Sequence, residues 1–259
     1  MEYLTASYIV LIALFGLFIG SFLNVVAIRT LKKESLSLPP SHCMHCNHRL
    51  GPLDLVPVLS YLLLRGKCRY CRAEISPAYA IWETTTALLF GLLAWQLGPT
   101  TELIVALFFA SILVVIVQTD FREMIIPDRV VYFAMAVGFL LRIIIHPLPL
   151  WNHLSAFLIG GGSLFLIAIV GSAIFKKDAM GGGDIKLLAF VGLILGIQLT
   201  LLTIFLASLI GTLYGLLLIV LRRYNRNKYI PFGPFIAAGS LIAYLWGDSW
   251  IEWYVNCFL

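Results

Sequence analysis

The stretch Leu113-Val114-Val115-Ile116-Val117-Gln118-Thr119-Asp120 ends an apolar segment on a carboxylic acid, and residues 103–119 before that acid carry no charge. A charge-free run of this length reads as a helix crossing a bilayer, with Asp120 at its water boundary. The rest of the chain has the same character. Of its 259 residues, 61% are hydrophobic and 12% charged, and the mean hydropathy is +0.96. A soluble domain is about 45–50% apolar and about 25% charged, so an ordinary soluble globular protein is excluded. The expected fold is an all-α polytopic membrane protein with about eight transmembrane helices, at about 20 residues per crossing. The spans lie near 8–28, 79–97, 103–119, 130–146, 154–175, 185–199, 200–221 and 230–247. The sixth and seventh form one apolar run, with Gln198 and Thr200 marking the expected turn.

The net charge of +5 would suit a nucleic-acid partner in a soluble protein. In a membrane protein the placement of the positives says more, because Lys and Arg collect in cytoplasmic loops. With the N-terminus outside, loop 29–78 faces the cytoplasm and carries Arg29, Lys32, Lys33, Arg49, Arg65, Lys67, Arg69 and Arg72. The later inside turns carry Arg122 and Arg129, then Lys176, Lys177 and Lys186, then Arg222, Arg223, Arg226 and Lys228. Of the 18 basic residues only Arg142 is left near an outer end. The partner expected on this basis is the lipid bilayer, with no nucleic acid. No positive residue precedes the first span, so it is expected to be a retained helix rather than a removed signal peptide. The chain then divides into a first transmembrane helix at 1–28, a cytoplasmic loop domain at 29–78 and a second membrane region at 79–259.

The loop holds Cys43-Met44-His45-Cys46 and Cys68-Arg69-Tyr70-Cys71. Two Cys-x-x-Cys turns can bring Cys43, Cys46, Cys68 and Cys71 around one tetrahedral zinc ion. Four sulfurs leave no position for a catalytic water, so the metal would be structural. An iron–sulfur cluster is the other metal reading, and two disulfides the non-metal one, disfavoured in a reducing compartment. His42, His45 and His48 crowd the first pair and are expected to be solvated or to support the ligands. Cys257 has no assigned role.

Asp184 ends Gly181-Gly182-Gly183-Asp184 and opens another apolar segment. Between Asp120 and Asp184 the chain crosses outward once and returns once, so both acids fall at the cytoplasmic ends of their spans. Two adjacent carboxyl groups share one proton. Such a pair can hydrolyse a peptide, one member drawing a proton from water while the other polarises the carbonyl. Gly181, Gly182 and Gly183, lacking Cβ atoms, would admit a substrate backbone and positive φ. The alternative is a plain helix start with Asp184 as a charge on the dipole. Asp128, after Pro127, has the same two readings, and Asp54, Glu123 and Asp178 read as solvated.

Five ordered segments resemble one family. They are Gly20-Ser21-Phe22-Leu23-Asn24-Val25-Val26 through Arg29; the two cysteine pairs, with Arg65-Gly66-Lys67 entering the second; Asp120 with Ile126-Pro127-Asp128; Gly181-Gly182-Gly183-Asp184-Ile185-Lys186-Leu187; and Pro231-Phe232-Gly233-Pro234-Phe235. Together they resemble the bifunctional prepilin peptidases, or type IV leader peptidases, of the GxGD aspartic protease class. The resemblance implies that Asp120 and Asp184 form the catalytic dyad of a peptidase domain at 79–259. It implies removal of the leader from prepilins or pseudopilins after a glycine, on the cytoplasmic face of the bacterial inner (plasma) membrane. It also implies transfer of a methyl group from S-adenosylmethionine to the new N-terminus, associated with the zinc-binding loop domain and with Gly66 and Glu83. Ala80 and Ser76 depart from the family's proline and apolar residue, while Glu83 is retained. Apart from the resemblance, Glu83 could be a surface carboxylate paired with Arg72 or Lys67. A different class of function would be a transporter with a structural zinc loop, its path lined by Gly160-Gly161-Gly162 and Gly211-x-x-x-Gly215. Against that reading, the acids lie at span ends rather than at the midplane. A purely structural membrane protein would leave both aspartate motifs unexplained.

Overall fold

The computed structural model describes residues 2–176, 180–223 and 230–258. Lys177, Asp178, Arg226 and Lys228 lie outside the described residues. Among these residues there is no strand, only the isolated bridges His42↔Arg49 and Lys67↔Glu74. The helices are α1 (Glu2–Lys32), α2 (Leu59–Leu63), α3 (Ala78–Leu97), α4 (Glu102–Glu123), α5 (Asp128–Ile144), α6 (Leu150–Phe175), α7 (Gly182–Leu195), α8 (Ile197–Val220) and α9 (Gly233–Phe258), with a 3-10 turn at Pro52–Asp54. Every expected apolar segment therefore holds a helix. Four helical stretches are long and apolar enough to cross a membrane: Ala6–Lys32, Glu102–Glu123, Leu150–Ile174 and Ile197–Val220. Leu158, Leu166, Phe205 and Val220 stay exposed on α6 and α8, a surface that suits lipid rather than water.

The chain forms two compact units, Met1–Gln118 and Thr119–Leu259, with the boundary inside α4. In the first unit α1 lies along α3. A Cβ on Gly16 would sit 2.9 Å from Ala87 Cα, and one on Gly20 2.9 Å from Glu83 Cα. Two small residues four apart let the helix backbones touch where apolar burial alone gives no driving force. Residues 33–77, leaving α1 and returning to α3, form a small lobe.

In the second unit α7 is the core, with every residue from Leu187 to Leu195 buried. It packs against α5, α6, α8 and α9. Gly160 and Gly161 of α6 and Gly192 of α7 stand at that contact. A Cβ on Gly160 would meet the Leu188 carbonyl at 2.6 Å, and one on Gly192 would run into the Ala156 carbonyl. Gly211 of α8 likewise faces Phe235 of α9 at 3.2 Å. These glycines serve helix packing.

One expectation is corrected, and one unassigned residue gains a place. The turn between the sixth and seventh segments falls at Gly196, not at Gln198 or Thr200. Gly196 has φ +82°, and the Asn152 side chain accepts the Ile197 N–H at 2.9 Å. Glycine takes this backbone without a Cβ penalty, and the capping amide settles the start of α8. Arg142 is not a residual surface charge. It is 2% exposed, and its Nε and Nη2 donate to the Ile194 carbonyl at 3.0 and 2.7 Å. The guanidinium thus satisfies a carbonyl in the last turn of α7, where helices lack partners and favour cations.

Candidate active site and metal centre

Asp120 sits in the last turn of α4 and is 5% exposed. Beyond it the chain turns at Met124, whose φ is +53°, and runs through Ile125-Ile126 to Pro127, the N-cap of α5. One carboxylate oxygen, Oδ2, accepts the backbone N–H of Gly233 at 3.1 Å. Gly233 is the first residue of α9, so a helix N-terminus is aimed at this acid. A Cβ on Gly233 would stand 2.7 Å from that same oxygen. Only glycine brings the N–H this close.

Asp184 occupies the first turn of α7, half-buried. It is close enough to Asp120 for the two carboxyl groups to interact electrostatically. Ile126 is the physical link between them. A Cβ on Gly183 would fall 2.7 Å from Ile126 Cβ, and one on Gly233 would fall 3.4 Å from Ile126 Cδ1. The side chain is therefore wedged between the residue before one acid and the residue holding the other. Across the entrance, Lys186 Nζ donates to Asp128 Oδ1 at 2.7 Å and lies 5.3 Å over the Tyr132 ring, tying α7 to α5.

The three glycines do not use the positive φ that glycine allows. None of Gly181, Gly182 and Gly183 has positive φ. Gly183 is needed for space against Ile126, a Cβ on Gly181 would lie in ordinary contact 3.4 Å from Asp184 Oδ2, and Gly182 faces open space. Gly233 had no individual role from sequence. Its signal was faint, a glycine between two prolines far along the chain, and only the distance to Asp120 gives it meaning.

In the first unit, the sulfurs of Cys43, Cys46, Cys68 and Cys71 all lie within 4.8 Å of one another. Cys43 Sγ and Cys71 Sγ are 3.8 Å apart. Four sulfurs around zinc at about 2.3 Å are separated by about 3.8 Å, so the residues fit the ion. The two turns repeat each other bond for bond. Cys43 N–H donates to His48 and Asn47 N–H to Cys43, just as Cys68 N–H donates to Ala73 and Arg72 N–H to Cys68. Asn47 and Arg72, following the second cysteine of each turn, have φ +55° and +61°. Backbone N–H groups of Cys46 and His45, aimed at the sulfur, bring the Cys43 thiol down to about 6, which suits a thiolate ligand. The histidines stay off the cluster, and His48 stacks on Tyr70 with ring centroids 3.7 Å apart.

Asp54 is not solvated. Its side chain is 6% exposed and accepts Arg69 Nε at 2.6 Å and the Gly51 N–H at 3.1 Å. Burial pushes its carboxyl up, and Arg69 with Gly51 more than offsets this, leaving it below the usual range. Asp54 thus ties the second knuckle to the turn at residues 51–54.

Between this lobe and the ends of α1 and α3 is a cavity of about 400 Å³ lined by Ser21, Asn24, Tyr61, Cys68, Tyr79 and Glu83, among others. Glu83 is 7% exposed and accepts the Val58 N–H at 2.7 Å. It pairs with neither Arg72 nor Lys67. Gly66 does not line the cavity. It has φ +68°, and a Cβ there would lie 2.9 Å from the Tyr61 hydroxyl, so Gly66 acts by seating Tyr61.

Residues 14–97 match the bacterial peptidase A24 N-terminal domain, and residues 107–216 match the type IV leader peptidase family. A Bacillus subtilis (strain 168) protein named prepilin leader peptidase/N-methyltransferase is 38% identical, over 94% of this chain and 96% of its own. Proteins of the same name from Aeromonas hydrophila and Neisseria gonorrhoeae are 36% and 31% identical, over 97% and 95% of this chain and 95% and 94% of their own. This chain belongs to the type IV leader peptidase family. No solved structure matches it. Within this leader peptidase the two matched regions separate the two sites: the cysteine lobe lies in the first, both acids in the second.

Proposed function

We propose that this leader peptidase hydrolyses the peptide bond after the leader of prepilins or pseudopilins, with Asp120 and Asp184 as its catalytic dyad. The observation carrying this reading is the meeting of two acids from distant parts of the chain at one end of the second unit, one gripped by Gly233 and both braced through Ile126. One carboxylate takes a proton from water, and the water oxygen attacks the carbonyl carbon. The partner acid donates a hydrogen bond to the carbonyl oxygen, and the amine leaves with a proton. No metal is required, and the exposed stretch at Gly181 and Gly182 leaves the approach to Asp184 open.

The charge pattern supports eight crossings in the bacterial plasma membrane, with the dyad and the cysteine lobe on the cytoplasmic side. A substrate with a basic leader ahead of an apolar helix presents its junction at that boundary. Cys43, Cys46, Cys68 and Cys71 would hold a structural zinc ion. The chain also methylates the new N-terminus, with Glu83 in the cavity and Gly66 behind Tyr61. S-adenosylmethionine supplies an electrophilic methyl group when bound. The cavity fits such a group in its chemistry, with apolar walls at Leu55, Val56 and Leu64 and the hydroxyl-bearing side chains of Ser60 and Tyr61 among them.

Mass spectrometry of a prepilin incubated with the purified protein and S-adenosylmethionine tests both activities. The expected product begins after a glycine and is 14 Da heavier than the cut chain, the mass of an added CH2 unit, about one methyl per chain. An uncut substrate, or a cut elsewhere, contradicts the reading.

A further inference from the structure

The cavity in the first unit is lined by a buried amide oxygen without a donor and a buried carboxylate without a cation. Asn24 of α1 is 1% exposed, and its Nδ2 donates to the Tyr79 carbonyl at 3.2 Å. That bond fixes the amide, and the other end, Oδ1, is buried with no partner. Glu83 lies one helical turn along α3 from Tyr79, as Gly20 lies one turn along α1 from Asn24. Its Oε2 takes the Val58 N–H, and the Ser21 hydroxyl lines the same cavity. Among the described residues no Lys, Arg or His makes an ion pair with Glu83. The nearby guanidinium of Arg29 is committed elsewhere, to the carbonyls of Ser35, Leu36 and Pro39.

A buried carboxylate without a cation and a buried amide oxygen without a donor are each costly, and both are rare unless a ligand completes them. Here they line one cavity beside each other. A ligand that satisfies both must carry positive charge and several N–H donors. An apolar cation offers the charge without the donors. A primary ammonium group offers both.

We infer that Glu83, Asn24 and Ser21 form a subsite for a primary amine, and that its occupant is the free α-amine of the cleaved pilin chain. This rests on the methyl-transfer reading above. In that setting Asn24 Oδ1 and the Glu83 carboxylate accept two N–H bonds and orient the nitrogen. An amine arriving as ammonium gives one proton to the carboxylate, which leaves a lone pair on nitrogen. An α-amine titrates near pH 8, about two units below a lysine side chain, so of the two it is the one that more readily gives up its proton.

The test uses a peptide of the mature pilin N-terminus in detergent micelles, with its α-amine free or acetylated, binding to the full-length protein. The free amine is expected to bind about 10- to 100-fold tighter than the acetylated form, as charged hydrogen bonds of this kind allow. In Glu83→Gln that preference should collapse to near unity, and in Asn24→Leu it should fall by about tenfold. Zinc content and melting temperature should match wild type in both variants. Equal binding of the two peptides to wild type overturns the inference, whether or not methyl transfer occurs. So does a Glu83→Gln protein that keeps the preference. A second arm measures S-adenosylmethionine binding by equilibrium dialysis. Affinity within twofold of wild type in Glu83→Gln is expected, whereas a large loss with the amine preference intact would assign the carboxylate to the methyl donor instead. Wild type that binds the free amine selectively but transfers no methyl would count against the methyl-transfer reading and leave the subsite standing.

Discussion

The cysteine lobe and the aspartate end solve the same problem in opposite ways. Each must bring reactive side chains together. The lobe does so locally, with two turns that repeat the same hydrogen bonds, each complete within about ten residues. The aspartate end does so at a distance. Asp120, Ile126, Gly183, Asp184 and Gly233 come from α4, the turn after it, α7 and α9, and they meet because three of the contacts lack a Cβ or use a backbone N–H. A local site should be vulnerable to loss of its ligands and indifferent to its neighbours. A distant one should be vulnerable to single methyl groups.

The largest effect expected is in the lobe. Cys43→Ser with Cys68→Ser should lower zinc from about one per chain to none, since a site of this kind is worth about 10–16 kcal/mol in small zinc domains. Methyl transfer should disappear, while the second unit still cuts the leader. Metal analysis and a cleavage assay on the same preparation check this. Retention of zinc would show that the four sulfurs are not the ligands.

Next come the glycines around the dyad. Gly233→Ala puts a methyl on the Asp120 carboxylate, and Gly183→Ala puts one on Ile126. A displacement of about 1 Å at reacting groups costs about 10²-fold in rate, and each variant should lose about that much cleavage. Gly182→Ala, with open space before it, should stay close to wild type. Equal losses at all three positions would mean that flexibility, not space, is what these glycines supply.

A smaller effect is expected at the far end of α7. Arg142→Met removes the donors on the Ile194 carbonyl, and an orphaned buried acceptor costs about 1–3 kcal/mol. The melting temperature should fall while zinc content stays unchanged. The smallest is Lys186→Met, which breaks an ion pair to the exposed Asp128. Such pairs are worth about 0–1 kcal/mol, so stability should hardly change. A larger fall in cleavage than in stability would mean that the pair positions α7 for catalysis.

What could be read in the sequence follows the same division. Helix positions were legible because eight apolar segments recur at membrane length. The four-cysteine cluster was legible because its members and their spacing lie in one loop. Asp120 stood out as an acid closing an apolar segment and Asp184 as one opening another. Gly196 was missed because Gln198 and Thr200 are the polar residues in that run, whereas the break depends on a backbone angle only glycine takes freely. Asp54 was misread because its partner, Arg69, belongs to the other knuckle. The roles of Gly233 and Asn24 were invisible for a similar reason. One depends on where a missing Cβ would fall, and the other on which end of an amide is already bonded.

The most direct measurement is leader cleavage by Asp120→Asn and Asp184→Asn, with melting temperature and zinc content measured on the same samples. Each carboxamide keeps the shape of the acid and removes its ability to exchange a proton. The dyad predicts that both variants fold, bind zinc and release no processed pilin. Processed pilin from either folded variant would contradict it.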